Sequence, residues 1–113
     1  MGSFVYLEHE RSCPIELGLA LIARRWKPRV LFALRGGRVL RFAALTRALE
    51  GVSDKVLTTV LQELAADGLV TRTVTAEVPV RVEYALTEQG QALLDLLEPL
   101  RQWGLKYKVA QQD

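Results

Sequence analysis

Residues 53–87, SDKVLTTVLQELAADGLVTRTVTAEVPVRVEYALT, predict a helix that runs directly into a two-stranded hairpin. Apolar residues recur in the helical part at spacings of three and four, which marks a buried stripe. The stripe consists of Val56, Leu57, Val60, Leu61 and Leu64. Ser53 can cap the helix, because its hydroxyl can accept a hydrogen bond from a first-turn amide. Asp67-Gly68 ends it, since glycine readily takes the left-handed conformation found after helices.

The opposite side of this helix, its outer face, is polar and consists of Lys55, Thr58, Thr59 and Gln62. These side chains can donate to or accept from base edges, and a threonine methyl can contact a thymine methyl. A polar face is also common on any surface helix. Taken alone, the outer face therefore fits solvent as well as it fits DNA.

The hairpin follows from two β-rich runs. Leu69 to Thr75 is rich in β-branched residues, and Arg81 to Leu86 alternates, with Val82, Tyr84 and Leu86 on one side. The loop 76–80 separates the runs, and its proline discourages continued pairing. Helix and hairpin together predict a winged helix-turn-helix, a mainly α fold with a small β-hairpin wing.

Two arginines belong to this wing. Arg72 and Arg81 are placed to contact phosphates or a minor groove. Arg72 could instead pair with Glu83 across the strands, in a hairpin that covers the core. Both interpretations can hold at once.

Charge is distributed unevenly along the chain. The net charge is only +2, yet the stretch from Arg24 to Arg47 has eight basic residues and no acidic one. Basic side chains on the supporting helices of a helix-turn-helix can bind phosphates without reading sequence. Some can instead extend into solvent over apolar stems, so we expect only some of the eight to touch DNA.

Composition limits the class of protein. A chain of 113 residues, half of them hydrophobic, predicts one globular domain over 1–113, with a core of about 13–87 and a final helix of about 88–108. No apolar run reaches the length of a membrane span, and the N-terminus does not resemble a secretory signal. A single cysteine excludes an internal disulfide and fits the reducing cytoplasm.

Prolines and glycines divide the rest of the chain into further elements. We expect a first helix capped near Ser12 or Cys13 and running to about Arg24, a second from near Trp26–Pro28 to Gly36-Gly37, a short strand at Val39–Arg41, a third helix from Phe42 to Leu49, and a last helix capped by Thr87.

The first and last helices carry more apolar surface than one small domain needs. This favours a homodimer, because a helix-turn-helix protein of this size usually reads two half-sites. The alternative is that both helices wrap the monomer core. The residues expected in the dimer interface are Ile15, Leu19, Leu96, Leu100, Trp103 and Tyr107.

Other functional classes find little support in the residues. A thiol enzyme would need a base near Cys13, and His9, the only histidine, has no third group to orient it. There is no metal-ligand spacing and no phosphate-binding glycine loop, so we expect no enzyme, metal or cofactor. A winged helix used only for protein assembly would have an apolar or acidic outer face, whereas the outer face of this helix is polar and carries threonines.

Residues 13 to 104 resemble the HxlR-type winged helix-turn-helix transcriptional regulators. Each match is weak alone, but their order and spacing are specific. They are Cys13-Pro14, Trp26-Lys27, Arg41-Phe42, Leu45, Ser53, Leu57-Thr58, Leu61, Leu64, Asp67-Gly68-Leu69-Val70, Arg72, Pro79, Val82-Glu83-Tyr84, Leu86-Thr87-Glu88, Gly90 and Trp103.

The resemblance implies a homodimer on a two-fold symmetric operator in double-stranded DNA, with recognition helices in successive major grooves. It implies that Arg41 contacts a phosphate and Arg81 acts from the wing. The expected major-groove contacts are Ser53, Lys55, Thr58, Thr59 and Gln62.

The resemblance also draws attention to Cys13. In some members of the family a cysteine at this place senses oxidants or electrophiles, and the start of a helix favours a thiolate. The alternatives are a structural cysteine at a dimer contact, or a regulator that responds to a small-molecule effector.

Overall fold

The computed structural model describes residues 13–112, in which five helices and one antiparallel two-stranded sheet follow one another. This arrangement confirms the predicted winged helix-turn-helix. The expectations for His9 and the cap at Ser12 lie outside the described residues. The elements are α1 (Pro14–Leu21), α2 (Lys27–Ala33), α3 (Phe42–Ala48), α4 (Asp54–Ala66), β1 (Val70–Thr75), β2 (Arg81–Leu86) and α5 (Glu88–Gln112).

The core lies where α2, α3 and α4 meet. Apolar side chains of these three helices interdigitate there, which fixes how α4 is presented on the surface. Tyr84 of β2 and Leu94 of α5 close the core from the other side. The largest fully buried side chains are Val30, Leu31, Leu34, Leu45, Leu57, Val60, Leu61 and Leu64.

Both ends of α4 form as the sequence predicts. Ser53 Oγ accepts a hydrogen bond from the Val56 amide at 3.1 Å. At the other end Gly68 has φ +75°, and the amide of Leu69 donates to the carbonyl of Leu64 at 2.9 Å. This closing pattern needs a left-handed residue, which glycine adopts without strain.

The prediction that Val56 is buried is wrong, because its side chain is 41% exposed. At about 100° per residue, Val56 lies to one side of the stripe formed by Leu57, Val60 and Leu64. It borders instead the turn before α2, beside Arg25 and Trp26. Its apolar side chain therefore extends the border of the outer face and not the core.

Other boundaries also differ from expectation. Helix α2 ends at Ala33, before the predicted end at Gly36-Gly37, because the amide of Arg35 bonds to the Phe32 carbonyl only three residues back, at 3.1 Å. Helix α1 ends at Leu21, not near Arg24, because the amides of Ile22 and Ala23 bond to carbonyls only three residues back, at 3.1 and 3.4 Å. The strand expected at Val39–Arg41 is reduced to a single bridge. Leu40 exchanges two backbone hydrogen bonds with Tyr84, of 2.9 and 2.8 Å.

The wing and α5 are joined at one compact corner. Thr87 Oγ1 donates to the Gly68 carbonyl at 2.6 Å and accepts from the Gly90 amide at 3.0 Å, as expected of a helix cap. A Cβ at Gly90 would collide with the Leu69 carbonyl oxygen. Glycine therefore lets the first turn of α5 pack directly on the chain that leaves α4.

Helix α5 extends further than the predicted 88–108, since it runs from Glu88 to Gln112. At about 1.5 Å per residue its 25 residues span roughly 37 Å, well beyond the core that its first turns cover. Within residues 13–112, no helix is both long and apolar enough to cross a membrane.

Candidate nucleic-acid interface

The outer face of α4 is available for contact with a partner. Lys55, Thr58 and Gln62 are exposed, and Thr59 is half-buried beside them. The buried stripe on the opposite side of α4 holds the helix in place. The residues that the sequence assigned to base contacts therefore share one supported surface. Ser53 lies at its N-terminal end, where its hydroxyl serves as the cap.

The two threonine hydroxyls of the outer face already donate within the helix. Thr58 Oγ1 donates to the Asp54 carbonyl at 2.8 Å, and Thr59 Oγ1 donates to the Lys55 carbonyl at 3.2 Å. A hydroxyl has one hydrogen and two acceptor lone pairs. Toward a partner, these residues can thus offer acceptor oxygens and methyl groups, whereas Lys55 and Gln62 can supply the donors.

Basic side chains border the outer face on the side of α1 and α2. A shallow hollow beside α4 is lined by Arg24 and Arg25 together with Lys55 and Thr59. The guanidinium of Arg25 lies 5.1 Å from the centre of the Trp26 ring, within the range of a cation–π contact. Arg25 was not singled out from the sequence. The sequence signal that could have identified Arg25 was its place in a run without acidic residues, directly before a tryptophan.

Part of the basic segment is used inside the protein. Glu63 Oε1 lies 3.0 Å from Arg24 Nε and 3.3 Å from Lys27 Nζ, and the Lys27 side chain is only 8% exposed. This ion-pair cluster ties α4 to the start of α2. Sequence reasoning missed this ion-pair cluster. The available signal was a single acidic residue, Glu63, next to Leu64 of the buried stripe.

Other members of the basic segment remain on the surface. Arg38, Arg41 and Arg47 are exposed and form no ion pair with another described residue. Arg41 precedes α3 and follows Leu40, the residue bridged to the wing. Arg41 therefore leaves the chain where the bridge to the hairpin meets the start of α3.

The two wing arginines lie on opposite faces of the hairpin. Arg72 is directly opposite Tyr84, and Arg81 is directly opposite Thr75. Side chains alternate along a strand, so Arg72 shares its face with Tyr84 while Arg81 shares the other face with Glu83. The suggested pair of Arg72 with Glu83 is therefore wrong, because the two side chains leave opposite faces. The five-residue loop 76–80 implies this register, so the length of the loop could have shown from the sequence that Arg72 and Glu83 lie on opposite faces.

Cys13 caps the N-terminus of α1, and its side chain is exposed. Pro14 occupies the first turn of this helix. Cys13 is the N-cap residue by its backbone only, since its side chain makes no capping hydrogen bond to another described residue. Reagents in solvent can reach this sulfur.

Helices α1 and α5 expose their apolar residues. All six residues expected in a dimer interface are more than half exposed, from 52% for Tyr107 to 72% for Ile15 and Leu96. Trp103 and Tyr107 stack on each other with ring centres 5.0 Å apart. Exposed apolar surface that recurs along two helices is typical of an interaction site.

Comparison with known proteins agrees with this geometry. The profile of the HxlR-like helix-turn-helix family matches residues 21–112. An uncharacterized HTH-type transcriptional regulator of Methanothermobacter thermautotrophicus is 38% identical over 106 residues, which cover 94% of this chain and 80% of that protein.

Two solved structures are similar over most of their length. A protein described as a transcriptional regulator of the MarR family, from Enterococcus faecalis V583, superposes with a TM-score of 0.78 and 40% identity, over 87% of this chain and 88% of that one. The redox regulator HypR, in its reduced form, gives a TM-score of 0.82 and 32% identity, over 88% and 98%. The chain thus belongs to the HxlR-like family of helix-turn-helix transcriptional regulators.

Proposed function

We propose that this regulator is a cytoplasmic homodimer that binds a two-fold symmetric site in double-stranded DNA, with α4 in the major groove. The observation that carries the proposal is the outer face of α4, whose polar side chains stand on a helix anchored by buried leucines. A rigid helix that presents short polar side chains suits base edges.

Base discrimination is assigned to the donors of the outer face. Gln62 can form a paired contact with adenine, and Lys55 can donate to the acceptors of guanine. Thr58 and Thr59, whose hydroxyl hydrogens are used within the helix, accept from base amino groups or contact a thymine methyl. Ser53 takes part at the N-terminal end of α4.

Affinity without sequence preference is assigned to arginines around this face. Arg41 binds a phosphate beside α3, and Arg81 acts from the outer side of the wing. The side chain of Arg72 lies on the opposite face of the hairpin from that of Arg81, so it would contact a different part of the DNA backbone. Because such contacts release counterions, binding should weaken steeply as salt rises.

The homodimer is proposed to form through α1 and α5. Burial of Ile15, Leu19 and the exposed side chains of α5 would remove the apolar surface that a monomer leaves in water. A two-fold dimer presents two copies of α4, which matches half-sites one helical turn, about 34 Å, apart.

Selection of bound DNA from a random pool tests the proposal. A two-fold symmetric consensus is expected, and Gln62→Ala should change the preferred base at one position of each half-site. Arg41→Gln and Arg81→Gln should weaken binding to selected and random DNA alike. If Gln62→Ala also lowered both affinities equally, Gln62 would not read a base. Recovery of no consensus at all would favour a winged helix that binds protein partners instead.

A second proposal concerns the signal. We propose that oxidation or alkylation of Cys13 reorients the dimer and releases DNA. Its support is an exposed thiol at the start of an apolar helix, together with the likeness to HypR, a redox regulator. DNA binding by the parent should fall after diamide treatment, and binding by Cys13→Ser should persist. An equal response of both proteins would exclude Cys13 as the sensor.

A further inference from the structure

A groove lies between α2, the end of α3 and the middle of α5, away from the outer face of α4. Its volume is about 1030 Å³, at the upper end of sites for small organic molecules. The floor is apolar and can cover a carbon skeleton. It consists mainly of Ile22, Phe32, Ala33, Leu94, Leu97 and Leu100.

The walls of this groove carry an excess of positive charge. Four arginines line it against two glutamates, and Glu98 already accepts three hydrogen bonds from Arg101, of 2.7, 2.8 and 3.1 Å. Arg29 lies over the Trp26 ring, 4.9 Å from its centre. Arg35 and Arg38 form no ion pair with another described residue, and Glu50 is the other acid that lines the groove.

Arg35 is held in a position suited to an anion. Its Nη1 donates to the Phe32 carbonyl at 3.0 Å, and its guanidinium lies 4.1 Å from the centre of the Phe32 ring. This uses one of five N–H donors, so the others can bind a carboxylate or sulfonate. The same ring lies on the groove floor. Aromatic surface and fixed cation are therefore adjacent.

We propose that the groove binds a planar organic anion, with its ring system on Phe32, Leu94 and Leu97 and its acidic group on Arg35 and Arg38. A DNA phosphate would satisfy the arginines but leave the apolar floor in water. The competing occupant is α1 of a second copy, which offers Ile15 and Leu19.

The position of the groove gives such a ligand a means of control. One wall comes from α2, which packs against α4, a second comes from the end of α3, which packs against α2, and the third comes from α5, which carries the apolar surface proposed for dimerisation. A bound ligand would contact both parts and shift one against the other. This regulatory consequence rests on the proposed function, whereas the binding itself does not.

Fluorescence titration of the full chain with anilinonaphthalene sulfonate tests the binding, with the neutral phenylnaphthylamine of the same ring system as a second probe. One saturable site per chain is expected. Replacing both Arg35 and Arg38 by glutamine should weaken sulfonate binding by about tenfold or more and leave the neutral probe unaffected. Arg47→Gln is the matched control, since Arg47 is exposed on α3 but does not line the groove.

Leu97→Trp should weaken both probes, because the larger side chain fills the floor. Near-ultraviolet circular dichroism of each variant must remain that of the parent, which separates a lost site from a lost fold. Equal effects of the double change and of Arg47→Gln would overturn the proposal. So would probe binding that appears only on dilution to monomers, since a second copy would then fill the groove. If the protein binds the probe but no DNA, this inference stands and the proposed function is wrong. If it binds DNA but not the probe, the proposed function stands and this inference is wrong.

Discussion

Glu63→Gln is the change whose effect the structure defines most closely. The carboxylate is the acidic partner of Lys27, whose side chain is only 8% exposed, and of Arg24, which is 58% exposed. Glutamine keeps the size of the side chain and removes its charge. The ammonium of Lys27 would then remain buried and face only an amide.

The expected cost is bounded by the exposure of each partner. Leaving a fully buried charge without its partner costs about 3–5 kcal/mol. Glu63 is one-third exposed, so solvent screens part of the interaction, and the amide oxygen retains some attraction. We therefore expect Glu63→Gln to lower the free energy of unfolding by about 1–3 kcal/mol. Arg24→Gln, which affects the exposed member, should cost less than about 1 kcal/mol.

Urea unfolding at one fixed protein concentration measures these differences, since dimer formation would make stability depend on concentration. A double-mutant cycle compares Lys27→Met alone, Glu63→Gln alone and the two changes combined. The combined variant should be more stable than Glu63→Gln alone, because no buried ammonium is left unpaired. If Glu63→Gln cost no more than Arg24→Gln, or if the two changes at residues 27 and 63 were additive, burial of Lys27 would not govern this contact.

Three further predictions follow from single contacts. Gly90→Ala should destabilise the fold by roughly 1–3 kcal/mol in thermal unfolding, because the new Cβ meets the Leu69 backbone, whereas Gly104→Ala, which meets open space, should not. Leu96→Glu or Trp103→Glu should shift the protein toward monomer in sedimentation, and the same change at the exposed Lys106 should not. The pKa of Glu98 is lowered, chiefly by the hydrogen bonds from Arg101, so this contact is present at neutral pH and is lost as pH falls through the lowered pKa. In a carboxyl NMR titration Arg101→Gln should raise the pKa of Glu98 toward its ordinary value, and an unchanged titration would show that Arg101 is not the cause.

Local rules predicted the elements of the candidate interface well. Capping by Ser53 and Thr87, the left-handed glycine after α4 and the alternation of β2 each depend on residues a few positions apart. Their energies are local, so a sequence pattern reports them directly. The same is true of the polar outer face of α4, which follows from helical periodicity alone.

The remaining features depend on which elements meet in space. Glu63 pairs with Lys27 only because α2 packs against α4, and no local pattern encodes that contact. Val56 is exposed because the core approaches α4 from the side of Leu57 and Leu64, a direction set by the other helices. The strand register, fixed by the loop length, separates Arg72 from Arg81.

By itself the sequence determined that this chain forms a winged helix-turn-helix with a polar outer face on α4, since periodicity and caps specify helices and strands one at a time. Only the tertiary structure decided which charged side chains form ion pairs within the protein and which are exposed and can contact a partner. The reason is physical. The contribution of an ionised side chain depends on its burial and on its nearest opposite charge, and both are set by residues distant in the chain. The groove beside Arg35 exists for the same reason, because α5 meets α2 only after the wing has turned the chain back on itself.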